Sequence, residues 1–386
     1  MKRPYTGLRV VEVGDRLGAA YGARLLADLG ADVVKIEPPS GSSVRRYGPF
    51  PDGTHDPESS GLFILLNAGK RSVVLDLSAA EPRESLRALI GTADVLVTGL
   101  RRAALDEIGL TDASLSAGHP TLIMAAVTAF GLTGPYRDFE GSELVTAAFS
   151  GVVRRIGHPD REPLTLPLAQ AAYQAGLAAA SGITCALLSR RRSGQGQVVD
   201  VSEAEVFATV HAGFSVTRYQ LAGHLERRAG HRFANQPYPQ TVLPCKDGYV
   251  ELNCPEGREW ARFVEMIGSP EWTRNPRYAN RTKNNVEYAD ELDALLLPWL
   301  GRHTRAEIFA MSRERHIACG PVRLVDEVLA DEQLAEREFF CTVDVPGGKQ
   351  ITIPGFPARF SRTPAQVGGP APRLGEHTAE VLAELR

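Results

Sequence analysis

Short apolar runs alternate with helical patterns in the first part of the chain. The runs, which are rich in β-branched residues, cover residues 8–13, 31–37, 72–77, 95–97 and 122–127. Between them, residues 19–30 and 82–91 place apolar side chains at helical spacing. Strands that alternate with helices of this length predict βαβ units and a parallel sheet buried on both faces. The first part of the chain is therefore predicted to have an α/β fold.

The pattern changes in the second part of the chain. Residues 169–190 predict one long helix, and a strand at 197–201 and a helix at 203–219 follow. Residues 223–239 are rich in glycine, histidine, arginine, asparagine and proline, so a domain boundary is expected there. Beyond this boundary the pattern predicts a strand at 249–253, helices at 258–267, 289–300 and 304–311, strands at 341–345 and 350–353, and a closing helix from His377.

Composition narrows the range of functions. The chain has 386 residues, with 43 Lys and Arg against 46 Asp and Glu, a net charge of −3. The basic excess that favours nucleic-acid binding is therefore missing. No 18 consecutive residues are apolar and no secretion signal is recognised, so we expect neither a membrane span nor export. Five cysteines without a CxxC pair predict a cytoplasmic protein with no metal site and no disulfides.

Common catalytic and nucleotide-binding motifs do not explain the chain. The turn after the first strand, residues 14–18, lacks the GxGxxG pattern of dinucleotide sites, and Glu37 alone is a weak signal for a ribose contact. P-loop, GxSxG and HExxH patterns do not occur. Lys70 and Arg71 follow Gly69 and place two cations beside a glycine, which is typical of a phosphate-binding loop or of a solvated hairpin.

Several stretches, in the same order along the chain, share the motifs of one family. They are GLRVVE at 7–12, LLADLGADVVKIEPP at 25–39, residues 67–77 and 93–97, FGLTGPY at 130–136, SGQGQVVDV at 193–201, CGPV at 319–322 and LGEHT at 374–378. Together they resemble the class III CoA-transferase family, of the formyl-CoA transferase and carnitine CoA-transferase type.

The resemblance implies an architecture and an activity. It implies a large Rossmann-like domain built from both termini, with a smaller α+β domain inserted, and two chains interlocked as a dimer. The corresponding domains are residues 1–222, 223–335 and 336–386. The implied activity is binding of an acyl-CoA and transfer of CoA to a carboxylic acid. CoA is then a substrate, and no tightly bound cofactor is expected.

The resemblance also implies the site residues. The family's nucleophilic aspartate opens an Asp-x-x-x-Gly pattern, and the stretch 182–187 aligns that position with Ala172, whose methyl group cannot attack a thioester. Glu143 falls at an acidic position of the family near the active site, either as a replacement catalytic group or as a structural carboxylate bonded to backbone N–H groups. CoA is expected to contact Arg16, Leu17, Lys70, Arg71, Gly99 and Leu100.

Three hypotheses follow from the alanine at position 172. In the first hypothesis the chain is itself a CoA-transferase and forms the interlocked homodimer that the resemblance implies. In the second it is the non-catalytic subunit of a heteromer with an aspartate-bearing homologue. In the third hypothesis it is a divergent lyase, hydratase or isomerase that acts on acyl-CoA without a covalent intermediate.

Overall fold

The chain folds into two compact units in the computed structural model, which describes residues 2–233, 236–345 and 348–386. The first unit comprises Met1–Val152, Thr165–Gly223 and Glu332–Arg386, and the second comprises Val153–Leu164 and His224–Asp331. The segment 153–164, which the sequence placed within the large domain, groups with the second unit.

A six-stranded parallel sheet forms the centre of the first unit. Its strands are β1 (Arg9–Val13), β2 (Asp32–Glu37), β3 (Arg71–Val74), β4 (Val95–Thr98), β5 (Ile123–Thr128) and β6 (Gln197–Ser202). Their order across the sheet is β3-β2-β1-β4-β5-β6, and every neighbouring pair is parallel. The predicted parallel sheet is confirmed.

Helices cover both faces of this sheet. The unit contains α1 (Leu17–Asp28), α2 (Gly61–Asn67), α3 (Ala80–Gly91), α4 (Arg102–Glu107), α5 (Asp112–Gly118), α6 (Glu143–Phe149), α7 (Gln170–Ser193), α8 (Glu203–Phe207) and α9 (Gly213–Ala222). Of these, α1 and α7 pack on one face of the sheet, and α3, α4 and α5 pack on the other. Successive strand residues point to opposite faces, so Val11 packs in the core with Leu89 of α3 while Val10 packs in the core with Ala23 of α1. Burial on both faces explains why β4 and β5 read as apolar runs, whereas β6 at the edge of the sheet is largely exposed.

Helices α1 and α7 pack closely because glycines line their contact. A Cβ on Gly176 of α7 would lie 2.7 Å from the Gly18 carbonyl oxygen and 3.0 Å from the Gly22 backbone nitrogen. Helix α7 is also long and apolar enough, by length and composition, to cross a membrane. Its buried residues, among them Ala175 and Ile183, lie in the core beside α1, as expected for the core helix of a folded domain.

The helix predicted at 203–219 is interrupted. Helix α8 ends at Phe207, a π-helical turn spans Ala208–Ala212, and α9 begins at Gly213. The wider turn brings the His211 ring against Phe207, with 4.7 Å between ring centroids, and places His211 Nε2 2.8 Å from Gln174 Nε2. Periodicity did not predict this turn, because the helical spacing of apolar residues continues on both sides of it.

The second unit contains a three-stranded antiparallel sheet with helices packed on it. Its elements are β7 (Gln240–Cys245), β8 (Gly248–Asn253), α10 (Gly257–Met266), α11 (Arg281–Glu287), α12 (Ala289–Leu300), α13 (Arg305–Glu314), β9 (Ala318–Pro321) and α14 (Val325–Leu329). Strand β8 lies between β7 and β9. Phe263, Leu296 and Ile308 are among the buried residues of its apolar core.

The C-terminal segment returns to the first unit. It contains α15 (Glu332–Glu336), the antiparallel pair β10 (Phe340–Val345) and β11 (Lys349–Pro354), and α16 (Thr378–Ala383). The His377 backbone N–H donates to the Ser72 carbonyl at 2.9 Å, and the Val74 N–H donates to Thr378 Oγ1 at 3.0 Å. The closing helix therefore packs beside β3 at the edge of the main sheet.

Candidate active site

The strand order reverses direction between β1 and β4, and the residues that follow the carboxyl ends of these two strands lie close together. Ligands of open α/β sheets bind at such a point. Gly14 has φ +102°, and a Cβ there would lie 3.3 Å from both the Gly99 backbone nitrogen and Leu100 Cδ2. A Cβ on Gly99 would lie 2.5 Å from Arg16 Cβ, so a larger residue cannot replace this glycine without displacing Arg16. The fold thus brings Arg16, Gly99 and Leu100 together, with Leu17 at the start of α1 beside them.

Arg16 forms a two-pronged ion pair with Glu203, the first residue of α8. Arg16 Nε donates to Glu203 Oε1 at 2.9 Å, and Nη2 donates to Oε2 at 2.6 Å. Glu203 is only 2% exposed. Burial raises the pKa of Glu203 and the nearby Glu143 raises it further, while Arg16 opposes both effects. The sequence analysis missed Glu203, although an acid directly after a strand in a parallel sheet signals a residue at the carboxyl edge.

Glu143 caps helix α7 from a different segment of the chain. It begins α6, and its two carboxylate oxygens accept hydrogen bonds from the backbone N–H groups of Ala171 at 2.7 Å and Ala172 at 3.1 Å. The first N–H groups of a helix have no partner within the helix, and a negative charge there is favourable. The contacts match the structural alternative for Glu143, and its catalytic role stays a prediction.

Ala172 lies in the first turn of α7, at the inner end of this cluster. It is 4% exposed, and a Cβ on Gly18 of α1 would lie 2.9 Å from the Ala172 carbonyl oxygen. The same Cβ would lie 3.3 Å from Glu203 Oε1, so Ala172 and Glu203 approach Gly18 together. The next residue, Tyr173, packs edge-on against Tyr21 with ring centroids 5.0 Å apart. Ala172, which the sequence analysis aligns with the aspartate of the family, is thus buried near Glu143 and Glu203.

Lys70 is buried against β1 and the first part of α1. Its Nζ donates to Glu12 Oε2 at 2.6 Å, to the Ala20 carbonyl at 2.8 Å and to Asn67 Oδ1 at 3.0 Å. Burial and the charge of Lys35 lower the pKa of Lys70 to about 8, although Glu12 opposes the shift. All three bonds go to protein acceptors, and they do not favour the predicted contact of Lys70 with a phosphate.

Arg71 begins β3 at the amino edge of the sheet, whereas Arg16 and Gly99 follow the carboxyl ends of their strands. It pairs with Asp32 and Glu384, each at 2.6 Å, and with Glu380 at 3.1 Å. The structure therefore does not bring Lys70 and Arg71 together with Arg16 and Gly99. Their predicted role in CoA binding stays a prediction that these contacts do not favour.

The structure offers no evident metal centre in residues 2–233, 236–345 and 348–386, where no group of three or more His, Cys, Asp or Glu side chains is placed to hold an ion. All five cysteines are free thiols.

Comparison with known proteins supports one family. The model of CoA-transferase family III matches residues 5–378. Succinate–glutarate CoA-transferase of Agrobacterium fabrum is 33% identical over 392 residues, covering 100% of this chain and 96% of that protein. Subunit BbsE of succinyl-CoA:(R)-benzylsuccinate CoA-transferase from Thauera aromatica is 35% identical over 398 residues, and the match covers 100% of this chain and 95% of that protein. The crystal structure of a CaiB/BaiF family protein from Brucella suis superposes with a TM-score of 0.88 at 32% identity, covering 100% of both chains.

Proposed function

The chain belongs to CoA-transferase family III, enzymes that move CoA from an acyl-CoA to a carboxylic acid, and we propose that it works as one subunit of a heteromeric transferase. The observation that carries this proposal is the buried methyl group of Ala172 at the position of the family's nucleophile. The name of the relative BbsE, a subunit of a succinyl-CoA-dependent transferase, supports the same organisation.

The covalent route of the family needs a free carboxylate. A carboxylate oxygen attacks the thioester carbonyl, the CoA thiolate leaves, and a mixed anhydride forms. The thiolate then attacks the enzyme's carbonyl carbon of the anhydride, which releases the donor acid as a carboxylate and leaves an enzyme-bound CoA thioester. Ala172 has no oxygen to form the first bond. Glu143 already accepts two backbone N–H groups, and Glu203 is held by Arg16. The nucleophile is therefore supplied by a homologous partner chain that has aspartate at this position.

This chain contributes a CoA-binding crevice to the assembly. Arg16, Leu17, Gly99 and Leu100 form its lining at the strand ends, and Arg16 supplies a cation for a phosphate or carboxylate. The partner chain interlocks with this one, and the assembly is cytoplasmic. The even charge balance and the five free thiols are consistent with that location.

The test is reconstitution of turnover. The chain is purified alone and after co-expression with a family member of the same genome that has aspartate at this position. Each preparation is assayed with succinyl-CoA and a panel of dicarboxylic acids, with CoA transfer followed by mass spectrometry. We expect transfer only when both chains are present.

Two outcomes would overturn the proposal. Transfer by this chain alone would show that it contains its own nucleophile. Conversion of acyl-CoA by this chain alone, without any acceptor acid, would instead show that it is a lyase, hydratase or isomerase.

A further inference from the structure

The ion pair between Arg16 and Glu203 joins the segments that follow two separated strands of the main sheet. Arg16 follows β1 and Glu203 follows β6, and β4 and β5 lie between these strands in the sheet. Neighbouring strands are about 4.8 Å apart, so the ends of β1 and β6 stand about 14 Å apart across the sheet. The two side chains meet above the carboxyl ends of β4 and β5, where a ligand of such a sheet would lie.

Both ends of this bridge are anchored by backbone contacts. Arg16 packs directly on Gly99, at the end of β4. Glu203 begins α8, and the N–H of the following residue, Ala204, donates to the Ala129 carbonyl at 3.1 Å, just beyond β5. The bridge therefore has a defined position, and only the side chains have to move to open it.

The chemistry of the pair allows one partner to be exchanged. A guanidinium binds a carboxylate or a phosphate with the same planar, two-pronged geometry. The Arg16 side chain is 17% exposed to solvent, whereas the Glu203 side chain is 2% exposed. An incoming anion can thus reach Arg16 from solvent and replace Glu203 without leaving the arginine unpaired. Glu203 faces Glu143 from α6 as well as Arg16, and repulsion between the two acids assists its release.

We propose that the Arg16–Glu203 pair is a latch over the carboxyl ends of β4 and β5, and that an anionic group of the substrate replaces Glu203 on Arg16 when the crevice is filled. The inference rests on the proposed function, since it takes an acyl-CoA and a carboxylic acid as the occupants. The anion is either a phosphate of CoA or the carboxylate of the acid. In the first case the Glu203 charge weakens the binding of CoA, and in the second case it weakens the binding of the acid.

Calorimetry on the isolated chain tests this latch. CoA, pantetheine and succinate are titrated into the wild type and into Glu203→Gln, which removes the competing charge but keeps the shape of the side chain. Glu205→Gln, on the exposed side of the same helix, is the matched control. If the anion is a phosphate, Glu203→Gln binds CoA about tenfold more tightly while pantetheine, which has no diphosphate, is unaffected. If it is a carboxylate, succinate gains instead.

Equal affinities of the wild type and a folded Glu203→Gln for both CoA and succinate would overturn the latch. Glu203→Asp covers the case in which the glutamine variant does not fold, because it keeps the charge but shortens the side chain by one methylene. It should shift affinity in the same direction by a smaller factor, and no shift would again contradict the latch. Binding is measured without turnover, so the failure of the latch can be told apart from failure of the partner-dependent transfer.

Discussion

Glu143 shows how hydrogen bonding decides the role of a single side chain. Its position in the family made it a candidate catalytic group, but both of its oxygens accept N–H groups of the first turn of α7. Four N–H groups at a helix start have no partner within the helix, so an acceptor brought from elsewhere stabilises that end. The carboxylate is thus required to hold the turn that contains Ala172.

Removing this acceptor should destabilise the protein. We expect Glu143→Ala to lower the free energy of unfolding by about 1–2 kcal/mol, the usual cost of losing a helix cap. Denaturant unfolding followed by circular dichroism measures the change. Glu140→Ala, three residues earlier at an exposed position, is the control and should change stability by less than about 1 kcal/mol. Equal midpoints for the two variants would contradict the capping role.

Two buried glutamates should make stability depend on pH. Burial alone would raise the pKa of Glu12, but Lys35 and Lys70 hold it below the ordinary value of 4.5. Burial also acts to raise the pKa of Glu37, but the hydrogen bonds and charge of Arg45 hold it below 4.5. The unfolded chain therefore takes up protons near pH 4.5 that the folded chain does not, and stability falls as the pH falls from there.

The measurement is urea unfolding at about pH 6 and at about pH 4, where the unfolding free energy should be lower at the acidic end. A free energy of unfolding that stays constant or rises toward the lower pH would contradict this account of Glu12 and Glu37.

The same ion network explains why the burial of Lys70 was not predicted. Its partner Glu12 lies 58 residues earlier in the chain, and local sequence gives no sign of that contact.

The close packing of α1 against α7 holds the helix that contains Ala172 in place. Gly176 lies against the backbone of Gly18 and Gly22, and an added Cβ there would come within 3.0 Å of three atoms. Such overpacking usually costs about 1–3 kcal/mol, so Gly176→Ala should lower the free energy of unfolding by that amount.

Gly213 provides the matched control for this prediction. It is a helical glycine at the start of α9, and no atom lies within 4 Å of a Cβ built there. Gly213→Ala should therefore be neutral or raise the free energy of unfolding by about 0.4–1 kcal/mol. Thermal unfolding of both variants checks the pair, and a Gly176→Ala variant as stable as Gly213→Ala would disprove tight packing of the two helices.

Elements of different length were predictable to different degrees. Strands such as β4 and β5 were predicted from their own residues because burial on both faces makes each one a continuous apolar run. Helix α6 was missed because seven residues hold too few turns to show periodicity. The interacting pair Arg16 and Glu203 is 187 residues apart in the chain, and only the strand order brings the two together. The sequence thus identified residues at strand ends as candidates for the site, but it did not identify their partners.

The assembly is the largest scale at which the proposal can be tested. The chain leaves the first unit after Gly223 and returns to it at Glu332. We propose that two such chains interlock as a dimer. We expect light scattering to give twice the mass of the 41.8 kDa chain for this protein, or for its complex with the aspartate-bearing homologue. A well-folded monomer at micromolar concentration would contradict the interlocked assembly.

The central claim is that CoA transfer in this assembly runs through a carboxylate of another chain. Its most direct test is peptide mass spectrometry after incubation of the two-chain complex with acyl-CoA and trapping of the enzyme-bound thioester with borohydride. We expect the trapped adduct on the aspartate of the homologue and none on residues 169–190 of this chain. Ala172→Asp should give a weak adduct here, because a nucleophile about 1 Å out of place loses roughly a hundredfold in rate. An adduct on Glu143 or Glu203 of the wild-type chain would contradict the claim.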